Sequence, residues 1–262
     1  MNSAPSFRRR RRRLRERFGA RMTLLLIALV LLAAPFAFLL DQVITSGPLS
    51  RADKALADQM HRTACTHTAY VGAARVISFL GSTPWDLALA VVAVAFLLRR
   101  REQRLAIFIA VTGATGSLLN NGVKLVVNRD RPKLAGCLLG SATGQSFPSG
   151  HAMNTTIVYG AFVLVFLSLV RASWRPVLIG AYAGWLLAMG WARMILGVHY
   201  LSDVLGGVVL GCAWLAIGVS VFQAWRKEEG KRPAAPLHEG IEPEAKARAQ
   251  QGAGAAPPVK IE

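Results

Sequence analysis

Six long stretches of the chain are apolar and almost free of charged side chains. The first, residues 22–40, has 19 residues without a charge, and as a helix it would be about 28 Å long, enough to cross a hydrocarbon core. The other five are residues 81–98, 105–127, 152–170, 177–196 and 203–225. Only helices and closed barrels satisfy their backbone groups in lipid, and these stretches do not alternate as barrel strands do. The sequence therefore predicts an all-α, polytopic membrane protein with six transmembrane helices in one bundle over residues 22–225.

An arginine-rich segment precedes the first stretch, so a cleaved signal peptide is one interpretation of it. Residues 1–21 contain nine arginines and one acid. The apolar stretch is longer than the core of a typical signal peptide, and small cleavage-site residues are poor around 39–41. We therefore expect a retained span, with residues 1–21 as a cytoplasmic segment that sets topology. A patch for nucleic acid or anionic lipid is the other interpretation of the arginines.

Lysine and arginine are distributed unevenly between the two sides of the predicted spans. One set of flanks carries 19 of them and the opposite set carries nine. Because positive residues favour the cytoplasm, both termini are predicted to be cytoplasmic, with the protein in the cell (inner or plasma) membrane. The net charge of +17 is segregated, and only 17% of residues are charged, which argues against a soluble nucleic-acid-binding protein. Residues 226–262 are predicted to be a disordered cytoplasmic tail, and no obligate protein partner is inferred.

Between residues 105 and 225, seven of the nine charged residues fall at the predicted outer ends of spans or in outer loops, where lysine and arginine are usually avoided. Ionisable groups at membrane depth indicate a functional site, and cations beside imidazoles and carboxylates indicate an anionic substrate and acid–base or nucleophilic chemistry. Each residue alone has a plainer interpretation as a structural histidine, an interfacial anchor or a snorkelling lysine. The group comprises Lys124, Arg129, Asp130, Arg131, Lys133, His151, Arg193, His199 and Asp203.

Two segments predict a local geometry for this group. Ser149 is a natural N-cap for the fourth span, and Gly150 lets a ligand approach the backbone at the positive end of that helix dipole. His199 and Asp203 are four residues apart, so they share a face if the sixth helix begins near His199. Asp203 would then bind one imidazole nitrogen and leave the other unprotonated towards the substrate.

Three motifs in order resemble the signature of the type 2 phosphatidic acid phosphatase and haloperoxidase superfamily, in its membrane-bound lipid phosphatase branch. The signature reads K-x6-R-P, then P-S-G-H, then S-R-x5-H-x3-D. Ala192 stands where the signature often has serine, which removes a possible phosphate hydrogen bond but no charged or catalytic group. The motifs cover residues 124–203, and the span layout extends the resemblance to 22–225. The matching positions are Lys124, Arg131, Pro132, Pro148, Ser149, Gly150, His151, Arg193, His199 and Asp203.

The resemblance implies metal-independent hydrolysis of a phosphate ester or pyrophosphate, without a cofactor. It implies that His199 attacks phosphorus to form a phosphohistidine, that Asp203 orients His199, and that His151 protonates the leaving oxygen and then activates water. The residues themselves agree about the metal, because two histidines and two acids do not make a convincing zinc or octahedral site. The implied phosphate-binding residues are Lys124, Arg131, Ser149, Gly150 and Arg193.

A site at the outer helix ends would meet the headgroups of outer-leaflet lipids, so the predicted partners are a lipid phosphate substrate and membrane lipids. Undecaprenyl pyrophosphate is the first choice, with phosphatidate, diacylglycerol pyrophosphate and phosphatidylglycerophosphate as alternatives. A lipid phosphotransferase would use the same phosphohistidine. A non-enzymatic anionic-lipid binder or transporter would need the cations but not both imidazoles. A vanadium-dependent haloperoxidase shares the anion-binding pattern, but six predicted spans argue against it.

Five residues outside the motifs complete the predictions. Arg129 and Lys133 are interpreted as lipid-facing or loop charges, and Asp130 would pair with either. Cys65 and Cys137 both fall in predicted outer segments, where a disulfide is permitted. Their pairing is a hypothesis that would contribute roughly 4 kcal/mol in the chain-entropy model, and the alternative is three unpaired thiols.

Overall fold

The structure is a computed structural model that describes residues 30–137 and 139–245, and within these ranges its regular elements are all helices. The all-α prediction is therefore confirmed for this part of the chain. Residues 1–29, on which the predicted cytoplasmic segment and the question of a signal peptide fall, lie outside the described residues, as do residues 246–262. The helices are α1 (described over Val30–Ile44), α2 (Pro48–Thr66), α3 (Thr68–Phe79), α4 (Thr83–Arg99), α5 (Gln103–Val127), α6 (Gly150–Phe166), a short 3-10 helix (Ala172–Trp174), α7 (Arg175–Ile195), α8 (Leu201–Glu228) and α9 (Pro236–Glu239).

Three of the described helices are long and apolar enough to cross a membrane: α5, α7 with the 3-10 turn before it, and α8. Two bent pairs also qualify if each pair is one span, namely α1 with α2, bent by 78°, and α3 with α4, bent by 43°. The helix α6 is apolar but has only 17 residues, so it is about 26 Å long. The described residues thus contain three to five candidate spans, although every predicted stretch from residue 81 onward coincides with a helix. The count of six and the cytoplasmic side of both termini stay predictions.

The central helix of the bundle is α6, which packs against α5, α7 and α8 and has buried side chains around its circumference. Glycines of α8 permit this close packing. A Cβ at Gly207 would lie 2.6 Å from the Ser149 carbonyl oxygen, and one at Gly211 would lie 2.8 Å from Thr156 Cβ. Because α8 contacts the first turns of α6 so closely, the second and third motifs come together.

The helix α2 lies over the end of the bundle that carries the motifs, which we call the site end. One face of it contacts α7 and α8, as expected for burial at every third or fourth position. Near the C-terminal end of α2, Cys65 forms a disulfide with Cys137. This pairing was hypothesised because both cysteines fall in predicted outer segments. The bond ties α2 to the loop between α5 and α6, which carries Arg131. The buried residues of α2 are Ser50, Asp53, Ala57, His61 and Ala64.

The chain after α8 closes the opposite end of the bundle. Ile241 and Glu242 are buried there, and the Ile241 N–H donates to the Leu164 carbonyl near the end of α6. Arg226 is fully buried and lies 2.9 Å from Glu244. The composition of residues 226–262 predicts disorder, but the described part up to residue 245 is packed, because its apolar and acidic side chains find partners on the bundle.

Candidate active site

The P-S-G-H segment forms the N-terminus of α6 and one wall of the site. Ser149 is the N-cap: its hydroxyl accepts from the Ala152 N–H at 3.4 Å, as the sequence predicts. The Ser149 N–H donates to the Asp203 carbonyl at 2.9 Å, so the hydroxyl proton remains as its donor for a phosphate. A Cβ at Gly150 would lie 3.9 Å from Lys124 Cε. Lys124 therefore lies beside the N-terminus of α6, where a bound anion would meet both the lysine and the positive end of the helix dipole.

His199 and Asp203 form a pair where α8 begins. The helix starts at Leu201, so His199 lies just before it rather than on its face. Asp203 Oδ2 accepts from the Tyr200 N–H at 2.9 Å and lies 3.4 Å from His199 Nδ1. Because an ionised carboxylate only accepts hydrogen bonds, His199 donates from Nδ1 and its Nε2 carries the lone pair.

Nε2 of His199 faces Arg131 from the first motif. Arg131 Nη1 lies 3.2 Å from Nε2 and also donates to the Val198 carbonyl at 2.8 Å. A guanidinium can only donate, so this contact independently requires an unprotonated Nε2. Burial lowers the pKa of His199 to about 4, and the hydrogen bond with Asp203 offsets part of that shift. His199 is therefore neutral near pH 7, the form in which an imidazole is a nucleophile.

Three consecutive backbone carbonyls hold two of the predicted phosphate-binding cations. Within residues 143–145, the first two carbonyls accept from Arg131 Nη2 at 3.1 Å and from Arg131 Nε at 3.0 Å. The third accepts from Lys124 Nζ at 2.7 Å. These partners are neutral, so both cations keep their net charge while their side chains are fixed in position.

Arg193 reaches the same place from α7. It is 6% exposed, and its Nη1 donates to the Ser78 hydroxyl and lies 3.4 Å from His151 Nε2. As at His199, this contact requires that the histidine nitrogen be unprotonated in the free protein. The charges of Lys124, Arg131 and Arg193 all act on His151. The structure thus brings the predicted site residues together: Lys124, Arg131, Ser149, Gly150, His151, Arg193, His199 and Asp203.

A family model described as the PAP2 superfamily matches residues 104–227. This region of the chain belongs to the PAP2 superfamily. The match runs from the start of α5 almost to the end of α8, so it contains all three motifs. The resemblance drawn from those motifs is confirmed.

Curated relatives from this superfamily are named as phosphatases. Phosphatidylglycerophosphatase B of Bacillus subtilis (strain 168) is 33% identical over 137 residues, which are 52% of this chain and 66% of that protein. A protein of Escherichia coli (strain K12), provisionally named undecaprenyl-diphosphatase YbjG, is 30% identical over 133 residues, which are 47% of this chain and 63% of that protein. The chain spans just under two thirds of the length of these two relatives.

A solved structure of a PAP2 protein has a similar fold. It is the crystal structure of a transmembrane PAP2 type phosphatidylglycerolphosphate phosphatase from Bacillus subtilis, with a TM-score of 0.66 and 25% identity. The alignment covers 78% of this chain and 98% of that one. Together with its long apolar helices, this likeness makes the present chain a helical membrane protein of the PAP2 type.

Arg129 lies in the loop after α5, but its side chain is buried against the candidate site, so its interpretation as a lipid-facing charge is wrong. Its side chain is 9% exposed and lies 2.6 Å from Asp203 Oδ1 and 3.1 Å from Asp53 Oδ2. Lys133, in contrast, is an exposed loop charge that pairs with Asp130 at 2.9 Å. The motif leaves position 129 open, and the partner on α2 becomes visible only when α2 is packed beside α8.

One group among the described side chains has the spacing of a metal site. It consists of His61, Cys65 and Cys137, whose ligand atoms lie within 4.8 Å of one another. Both sulfur atoms belong to the disulfide, so neither is a thiolate, the form of cysteine that binds metal. The group shares no residue with the PAP2 motifs.

Proposed function

We propose that the protein is a metal-independent lipid phosphate phosphatase, which hydrolyses a phosphomonoester or pyrophosphate of an outer-leaflet lipid through a phosphohistidine. One observation carries the proposal: Nε2 of His151 and Nε2 of His199 each lie against an arginine at the same end of the bundle. A phosphate bound by both arginines would therefore lie between the two imidazoles. One would serve as nucleophile and the other as acid and base.

In the first step, the phosphate replaces the imidazole nitrogens as acceptor for Arg131 and Arg193. Nε2 of His199 is then free to attack phosphorus, so that an N–P bond forms and the P–O bond to the lipid breaks. The negative charge of the bound phosphate favours the protonated form of His151, which gives its proton to the leaving oxygen. Asp203 stabilises the positive charge that His199 gains.

In the second step, water attacks the phosphohistidine while His151, now neutral, accepts a proton from that water. The N–P bond breaks, inorganic phosphate forms, and His199 returns to its starting state. Lys124 and the N-terminus of α6 stabilise the charge on the equatorial oxygens in both steps. Removal of one such donor typically costs about 3 kcal/mol of transition-state stabilisation.

A lipid is the substrate class because the site lies at the ends of helices in a membrane protein, where a headgroup can enter while its tails stay in the bilayer. With six spans and cytoplasmic termini, this end would face the extracytoplasmic side of the cell membrane. Undecaprenyl pyrophosphate remains the first choice, and the name of the Escherichia coli relative supports it. The name of the Bacillus subtilis relative supports phosphatidylglycerophosphate as the alternative.

A panel of lipid phosphates, incubated with the purified full-length protein in detergent and a chelator, tests hydrolysis, metal independence and substrate preference together. We expect phosphate release, fastest with undecaprenyl pyrophosphate. His199→Ala and His151→Ala should release phosphate at the background rate, because each removes one of the two chemical groups. His67→Ala is the matched control, since this exposed histidine lies between α2 and α3, and it should keep full activity.

Each alternative has its own outcome in this assay. Full activity in either site variant would refute the role assigned to that histidine. Activity that the chelator abolishes would refute metal independence. With labelled phosphate, label on a sugar or lipid acceptor instead of free phosphate would make the protein a phosphotransferase.

A further inference from the structure

Arg129 is a buried cation that the proposed phosphate chemistry does not use. Its guanidinium lies between two carboxylates: Nη1 donates to Asp203 Oδ1 at 2.6 Å, and Nη2 donates to Asp53 Oδ2 at 3.1 Å. The side chains of these two acids are 0% and 1% exposed. The guanidinium also lies 4.3 Å from the ring centroid of Tyr200, a cation–π distance. Arg129 is thus engaged by acids, whereas Arg131 and Arg193 are held by neutral groups.

Asp53 enters this network from α2, outside the region that matches the superfamily. It accepts from the Ser202 N–H at 3.1 Å and from the Ser202 hydroxyl. Asp53 is therefore an anion at the N-terminus of α8, where the helix dipole favours negative charge. The contact attaches α2 to the same helical turn that carries Asp203.

The charges of the network bear directly on His199. A buried carboxylate stays ionised only with a cation or several donors beside it, and Asp203 must be ionised to accept from His199 Nδ1. Arg129 supplies that cation. Its positive charge would also oppose the charge that His199 gains during attack, and Asp53 cancels this effect while it holds the guanidinium in place.

We propose that Arg129 and Asp53 are positioning residues for the reaction. Arg129 keeps Asp203 ionised with Oδ2 directed at His199, and Asp53 fixes Arg129 and balances its charge. This inference rests on the proposed phosphohistidine chemistry, and it assigns to α2 a part in the site that the three motifs do not contain.

The two positioning residues act on His199 with opposite sign. Arg129→Gln removes a positive charge, which favours the protonated forms of both His199 and Asp203, so the acid limb of the pH profile moves to higher pH. Asp53→Asn removes a negative charge, so the acid limb moves to lower pH. We expect displacements of about 0.5 pH unit each. The other charged or titratable groups around the two imidazoles are not substituted in either variant, namely Asp203, Arg131, Arg193, Lys124 and the imidazoles themselves.

The experiment measures kcat, KM and the pH dependence of kcat/KM for the full-length protein in detergent, with one lipid phosphate for all variants so that its own titration is shared. Arg129→Gln and Asp53→Asn should lower kcat about 10- to 100-fold with little change in KM, because neither residue binds phosphate. Arg129→Lys keeps the charge but cannot bridge two carboxylates, so kcat should fall while the acid limb stays in place. Asp58→Asn, exposed on the same helix, is the matched control and should change neither.

If the acid limbs of Arg129→Gln and Asp53→Asn move in the same direction, or if both variants keep wild-type kcat, the positioning proposal is overturned. The proposed phosphatase function would not be affected by either result. If a single variant does not fold, the double variant Asp53→Asn/Arg129→Gln restores the charge balance and should show an acid limb near that of the wild type. Wild-type kcat in folded Arg129→Lys would also overturn the proposal. An inactive wild-type protein, or a fully active His199→Ala, would instead refute the proposed function.

Discussion

Both ends of the bundle bury charged side chains, but the two ends hold their cations differently. At the site end, Lys124, Arg131 and Arg193 are bound by carbonyls, a hydroxyl and imidazoles. At the opposite end, the described ion pairs are Arg104–Glu229, Arg104–Glu242, Arg226–Glu242, Arg226–Glu244, Lys231–Glu242 and Arg232–Glu239. A cation held by neutral groups keeps its net charge, whereas a carboxylate neutralises it. The site end therefore retains a positive field for an anion, and the opposite end uses its charges to hold the chain after α8 against the bundle.

Arg129 is an exception at the site end, because it has two carboxylate partners. Its surroundings resemble those of Arg226 at the opposite end more than those of Arg131, only two residues away along the chain. We therefore expect the partners of a cation, rather than its position in a motif, to separate the proposed phosphate-binding residues from the proposed positioning residue.

The largest expected effect tests the opposite end. Arg226→Ala removes a fully buried guanidinium, so the buried carboxylate of Glu242 and its neighbour Glu244 each have one cation fewer nearby. The substitution should therefore lower the free energy of unfolding by about 3–5 kcal/mol. Thermal unfolding in detergent measures the loss, and kcat per folded molecule should stay at the wild-type value. Arg232→Ala is the control, because its pair with Glu239 is exposed. A fall in kcat at unchanged stability would break the comparison, since it would connect this end to the chemistry.

Removal of a cation from the site end should instead lower kcat and leave the protein folded. Arg193→Ala takes one charge-stabilising donor from the phosphate, so kcat should fall about 100- to 1000-fold. Arg171→Ala, an exposed arginine before the other end of the same helix, should leave kcat unchanged. Monodispersity on size-exclusion chromatography confirms that both variants are folded. Wild-type turnover in Arg193→Ala would mean that the neutral partners of this cation do not mark a phosphate site.

The smallest expected effect is a change of pH, which acts on kcat/KM at the site end and on stability at the opposite end, so it distinguishes the two ends without a mutation. The pKa of His199 is about 4 because of burial, so kcat/KM for folded protein should fall about tenfold per unit once the pH is below that value. The hydrogen bond from Arg232 lowers the pKa of Glu239 to about 2, so the stability from that pair persists above the unfolded value and is lost only as pH falls towards 2. Because an unfolded histidine takes up its proton near pH 6.5, acid also lowers overall stability, and rates are normalised to folded protein. The pH dependence of kcat/KM reports groups of the free protein. If its acid limb lies well above pH 4, His199 is not the buried, neutral group described here.

Much of the candidate site follows from the sequence because its motifs and helix caps are formed by residues close together in the chain. Ser149 caps α6 as its position before an apolar stretch predicts, and the spacing of His199 and Asp203 anticipates their contact even though α8 begins two residues after His199. The helices from residue 81 onward also follow from apolar length alone. The composition of residues 226–245 predicts disorder instead, because the acidic residues there show no partners until the ends of α5 and α8 are placed beside them.

The sequence by itself determined the helical fold, the resemblance to the PAP2 superfamily and the candidate phosphate-binding residues, because apolar length, helix caps and motif spacing depend on residues close together in the chain. Only the tertiary structure decided which cations are balanced by a carboxylate and which are held by neutral groups. Arg129 meets Asp203 and Asp53 across separations of 74 and 76 residues, and no local pattern encodes such a meeting. It depends on how α2, the loop before α6 and the start of α8 pack, and packing sets the partners that determine each buried charge.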